Sequence, residues 1–176
     1  MTLVEVLLAA TLFAMTMTGL STHLQSSTAV WRRATTSMAA SQETHAMLDQ
    51  MAQDAANAVP WEVGESAGFQ PAFEDHRIIF VTVAGGRLGV VGYSLEEEEG
   101  GSVLVRRWQT MPEAYAAHPG RVTGALPEVD TFSLRYGPFP RAVEVVLERG
   151  GGSGSSRARR LLVSPQGALP TAQEAG

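Results

Sequence analysis

Apolar and polar positions divide the chain into unlike stretches. From Met1 to Val59 there is no proline and a single glycine, Gly19. The opening MTLVEVLLAATLFAMTMTGL is apolar almost throughout, and Leu3–Leu24 is long enough to cross a bilayer, which takes about twenty residues. After Leu20 the composition turns to Ser, Thr, Gln and Ala with no helix breaker before Pro60. Here Ala40, Thr44, Met47, Leu48, Met51, Ala55 and Val59 recur at helical spacing on one face, while Gln42, Asp49, Gln53 and Asn57 lie elsewhere. The pattern predicts one continuous helix. Residues 1–24 form its transmembrane half and residues 25–59 its amphipathic half, with Met47, Leu48, Met51, Ala55 and Val59 as the seam that packs on the following domain. At 1.5 Å per residue such a helix spans about 87 Å, a length that calls for neighbours. Gly19 is its one soft point.

Beyond Pro60 the periodicity changes from helical to alternating. Residues 61–75 read as a loop punctuated by Gly64, Gly68 and Pro71. Arg77–Val83 is a β-branched and aromatic run, Ala84-Gly85-Gly86 a turn, and Leu88–Leu95 a second strand. Glu96–Gly101 closes a hairpin onto Ser102–Trp108. Pro112–Pro127 reads as irregular, with a short helix near Glu113–Ala117. Phe132, Leu134 and Tyr136 share one face of a strand, and Val143, Val145 and Leu147 oppose Glu144 and Glu148 in the next. A Gly/Ser connection at 150–156 leads to a last strand, Arg159–Ser164. The expected organisation is α+β: a long N-terminal helix packed on an antiparallel β-sheet domain over residues 60–165, then a flexible tail over 166–176.

Charge sharpens one position. Glu5 sits inside the apolar stretch, where an ionisable group costs about 2.5–3.5 kcal/mol on insertion scales and demands a partner. A carboxylate there also suits the helix dipole and could simply cap the first turn. A secretory signal peptide would begin with positive charge, which this start lacks. Thr11, Thr16 and Thr18 can return their hydroxyls to the helix backbone, and Ala10 with Ala14 permits close helix approach. The chain has no cysteine, so disulfides and thiolate metal sites are excluded. A net charge of −5, with all thirteen basic residues arginine, argues against a general nucleic-acid binder.

Thr2, Leu3, Val4 and Glu5, followed by the apolar run, resemble the mature N-terminus of type IV pilins and type II secretion pseudopilins. Met1 stands where that family usually has Phe, so the resemblance implies numbering from the processed residue, with Met1 as the site of N-terminal processing and methylation. It implies further that Glu5 directs assembly by pairing with the N-terminal amine of an adjacent subunit. Where many relatives carry a proline at position 22, this chain has Thr22. Later segments are similar to J-type minor pseudopilins: Tyr93-Ser94-Leu95 with Leu104-Val105-Arg106, Leu134-Arg135-Tyr136, and Pro140 to Glu144. The resemblance implies a pilin-like fold and a non-enzymatic subunit at the tip of a type II secretion pseudopilus, supporting its assembly and protein secretion. The implied partners are the I- and K-type minor pseudopilins, the inner membrane, and secreted cargo, with the C-terminal domain periplasmic. The alternative is a minor type IV pilin acting in pilus assembly, adhesion or DNA uptake.

Catalytic and metal chemistry find little footing. His23, His45, His76 and His118 show no metal-binding spacing, and Asp75-His76 lacks a serine in a nucleophile-elbow context. Glu96–Glu99 lacks the alternation of a calcium loop and reads as a solvated turn. Arg157, Arg159 and Arg160 are the candidate phosphate contacts, read mainly as solubilising. No catalytic residue, cofactor, metal or nucleic acid is expected.

Overall fold

A computed structural model of the chain describes residues 2–60, 72–74, 76–84, 86–136, 142–150 and 156–163. The fold is α+β, with a long apolar N-terminal helix and antiparallel sheets. It divides into two compact units, Met1–Ala40 and Ser41–Gly176. Met1, the Gly/Ser connection over 151–155, the Pro140-Arg141 pair and the expected tail lie outside the described residues.

The first unit is helical from Leu3 onward, and residues 2–39 are all exposed. Helix α1 (Leu3–Ala56) continues through Gly19 without interruption, and nothing lies within 4 Å of where a Cβ would stand there. The sequence predicts a helix to Val59, but α1 ends at Ala56. The physical reason is a competing partner. The Val59 N–H donates to the Val81 carbonyl at 2.9 Å, the Val83 N–H donates to the Asn57 carbonyl at 3.3 Å, and Ala58 bridges Thr82. Pro60 also disfavours helical geometry at the residue before it. Val59 is therefore half-buried on an extended segment and is no part of the helical seam.

In the second unit, strands β1 (Ala72–Glu74), β2 (Arg77–Ala84), β3 (Arg87–Glu98), β4 (Gly101–Thr110) and β5 (Arg121–Leu126) form an antiparallel meander in chain order. Strands β6 (Val129–Tyr136), β7 (Ala142–Arg149) and β8 (Ser156–Val163) form a second antiparallel sheet. Between β4 and β5 lies the short helix α2 (Met111–Tyr115), whose first turn is capped by Glu113 accepting from the Thr110 N–H at 2.8 Å. Two strands escape the sequence reading. Three-residue β1 falls in what reads as a loop, and β5 falls in what reads as irregular chain.

One apolar core joins both sheets to the end of α1. Met47, Leu48, Met51 and Ala55 of the helix are buried with Phe80 and Tyr93 of the first sheet. Phe132, Val145, Leu147 and Leu162 close it from the second sheet. Gln42, Asp49 and Gln53 are exposed, as a one-sided helix requires, and Asn57 is exposed just past the helix end. Phe73 stacks on Phe80 with ring centroids 6.2 Å apart, and Phe80 tilts against Tyr93 at 6.4 Å. Gly89 is needed where it stands, because a Cβ there would lie 2.5 Å from the Trp108 ring.

Candidate functional site

The sequence points first to the start of α1. Glu5 is the third helical residue, and its Oε2 accepts the Thr2 backbone N–H at 2.8 Å. In the isolated chain the carboxylate thus caps its own helix, neutralising an orphan donor at the positive end of the dipole. The hydroxyls that follow are satisfied internally. Thr11 donates to the Leu8 carbonyl at 2.9 Å, Thr16 to the Phe13 carbonyl at 2.9 Å, and Thr18 to the Ala14 carbonyl at 2.8 Å. Side chains that return their polar groups to the backbone suit an apolar solvent. By length and composition α1 can cross a membrane, and none of its apolar window is buried within the chain.

Further along the exposed part of the helix, Leu24, Trp31 and Met38 are 59%, 71% and 67% exposed. They stand seven residues apart, the repeat that keeps one seam facing a partner helix. The sequence reading overlooks this stripe, although a count of sevens would find it.

In the second unit the sequence reading misses a buried polar cluster. Asp54 lies on the packing face of α1 and is buried. Arg106 of β4 grips it with Nε to Oδ2 at 2.7 Å and Nη2 to Oδ1 at 3.0 Å. The Tyr93 hydroxyl of β3 donates to Oδ2 at 2.5 Å, and Gln50 donates to Oδ1 at 3.2 Å. Tyr93 and Arg106 are cross-strand partners, so one antiparallel register brings both to the carboxylate. Arg106 Nη1 reaches the Thr123 hydroxyl on β5 at 2.5 Å. Burial pushes the Tyr93 hydroxyl far above the usual tyrosine range, and the Asp54 charge adds to that shift. Burial pulls the Arg106 guanidinium down, but its hydrogen bond to Asp54 and the charges around it raise it overall. A carboxylate that accepts four hydrogen bonds, two of them from a fork-bound arginine, is a fixed structural joint, with both oxygens fully engaged.

The remaining candidates disperse. His23, His45, His76 and His118 are all exposed. Glu96 is taken by Arg107 through bonds of 3.1 and 2.8 Å, and Glu97–Glu99 are exposed at the hairpin tip. Among the described residues no group of three or more His, Asp or Glu is arranged to hold a metal ion. Each arginine of the basic trio faces a carboxylate: Arg157 with Glu148 at 3.0 Å, Arg159 with Glu144 at 4.0 Å, and Arg160 with Asp49 at 2.8 Å. No family model, curated protein or solved structure matches this chain.

Proposed function

We propose that this chain is a structural, non-enzymatic filament subunit, a J-type minor pseudopilin at the tip of a type II secretion pseudopilus. In this role it supports pseudopilus assembly and protein secretion, anchored by a single span in the inner membrane with its β-rich domain in the periplasm. The observation that carries the reading is the exposed apolar stretch of α1 with Glu5 in its first turn. In lipid the Thr2 N–H gives the Glu5 carboxylate a hydrogen bond but no counter-charge, and an adjacent subunit's N-terminal amine would supply one. The Leu24, Trp31 and Met38 stripe and the small residues Ala29, Ala34, Ala39 and Ala46 supply an exposed surface on which neighbouring helices can pack. The carboxylates beside all three arginines of β8 lower the positive potential a phosphate would meet, which favours this reading over DNA uptake.

The test is capture of partners from membranes with the full chain in detergent. I- and K-type minor pseudopilins should co-purify at about 0.3–0.5 M salt, where the Debye length is about 4–6 Å and surface charge contacts are suppressed. Absence of both partners, together with salt-sensitive retention of duplex DNA, would favour a DNA-binding minor pilin instead.

A further inference from the structure

Two adjacent cations stand just beyond the apolar stretch of α1. From Val6 to Gln42 the chain carries no Asp or Glu, and its only arginines there are Arg32 and Arg33. Both are exposed on an unbroken helix. The residues one turn away are Thr28, Ala29 and Val30 on one side and Thr35, Thr36 and Ser37 on the other, none of them charged. Among the described residues the ion pairs belong to other arginines, Arg106, Arg107, Arg149, Arg157, Arg159 and Arg160. Arg32 and Arg33 thus keep their full charge, in a chain whose net charge of −5 is otherwise repelled by an anionic surface.

Helix geometry sets how far they are from lipid. Arg32 comes eight residues after Leu24, about 12 Å along the axis. The headgroup layer on each side of a bilayer is about 5–7 Å deep. The gap that remains, about 5–7 Å, is one that an extended arginine side chain can close, and any tilt of the helix shortens it. Direction helps as well. Side chains on a helix lean toward its N-terminus, which here is toward the membrane. Arg32 and Arg33 lie about 100° and 200° around the axis from Trp31, so they leave the Leu24, Trp31 and Met38 stripe free for a partner helix.

We infer that Arg32 and Arg33 form a binding site for the headgroups of anionic phospholipids, which they select over zwitterionic ones. A zwitterionic headgroup carries its own cation beside the phosphate, whereas an anionic one leaves the phosphate charge to the protein. The inference rests on α1 crossing a bilayer, holds for either orientation, and stands apart from the filament assignment. The experiment places the full chain in a neutral detergent with equal amounts of phosphatidylglycerol and phosphatidylcholine, and native mass spectrometry reads which lipid is retained. Phosphatidylglycerol should be retained at least about fivefold over phosphatidylcholine. Arg32→Gln/Arg33→Gln should bring the ratio close to unity, and Arg32→Lys/Arg33→Lys should keep most of the preference. Arg87→Gln, an exposed position on β3, should change nothing. Equal retention by the wild type, or an undiminished preference in the double glutamine variant, would overturn the site. Loss of the preference on adding equimolar inorganic phosphate would overturn the lipid assignment in favour of free phosphate. Flotation with phosphatidylcholine vesicles checks the span by itself: the wild type and the double glutamine variant should both float. A wild type that does not float would refute the span, and the site with it.

Discussion

Arg106 holds Asp54 in a two-bond fork, Nε–Oδ2 2.7 Å and Nη2–Oδ1 3.0 Å, with both side chains largely buried. The pair joins the end of α1 to the middle of the first sheet, and Tyr93 completes it. Removing one partner leaves a buried charge alone. Asp54→Ala or Arg106→Ala should therefore cost about 3–5 kcal/mol, read as a lowered urea midpoint. Tyr93→Phe should cost about 1.5–3 kcal/mol, the worth of a hydrogen bond to a charged group. Replacing both charges, as Asp54→Leu with Arg106→Met, should recover most of the loss, because apolar isosteres of a buried pair are often neutral.

The helical seam gives a second expectation. Met51 is 0% exposed and sits among residues of both sheets. Met51→Asp places an unpaired charge there and should destabilise by about 3 kcal/mol or more. Gln53→Asp, two residues on and on the exposed face, should leave the thermal midpoint nearly unchanged.

Alkaline and acid limbs should differ in origin. The Tyr93 value is raised by burial and then by Asp54, so the fold favours the neutral phenol. That contribution is complete below about pH 10, the unfolded value, and is lost as pH climbs beyond it toward the folded value. Tyr93→Phe should flatten the fall in stability above about pH 10. Glu96 runs the other way. Its hydrogen bond to Arg107 holds it below the usual carboxylate range, assisted by Ser94. Its contribution is present above about pH 4.3 and lost as pH falls through the lower folded value. Glu96 and Arg107 are 35% and 32% exposed, so Glu96→Gln should remove only about 0.2–1 kcal/mol of acid-limb stability.

Much of this architecture is legible in the residues, and the exceptions have physical causes. The seam through Met47, Leu48, Met51 and Ala55 follows from apolar spacing alone. Strand β5 does not, because Leu126 is its only buried residue and an edge strand has little alternation to display. The end of α1 is set by Asn57–Val59 pairing with β2, a long-range bond that no local propensity encodes. Asp54 stood in plain view three residues after Met51, on the face that had to be buried. A charge on an apolar stripe demands a partner, and Tyr93 and Arg106 are the very residues that open and close the Tyr-x-Leu and Leu-x-Arg hairpin segments.

The basic trio yields a negative prediction. Arg157, Arg159 and Arg160 each stand within 4.0 Å of a carboxylate. The full chain should give no salt-dependent shift of duplex DNA at physiological ionic strength, and the Arg157/Arg159/Arg160 triple-alanine variant should behave identically. A wild-type shift that steepens with falling salt and vanishes in the variant would move the reading to a DNA-binding pilin.

The central claim is that Glu5 directs assembly and not merely insertion. Its carboxylate caps the Thr2 N–H in the isolated chain, a task the first turn can do without at a cost of about 0.5–2 kcal/mol. The decisive measurement is the amount of Glu5→Ala protein in the membrane fraction against the amount in purified pseudopilus-tip complexes. The account predicts normal insertion, since the span becomes more apolar, with the variant nearly absent from the complexes. Wild-type incorporation of Glu5→Ala would contradict it.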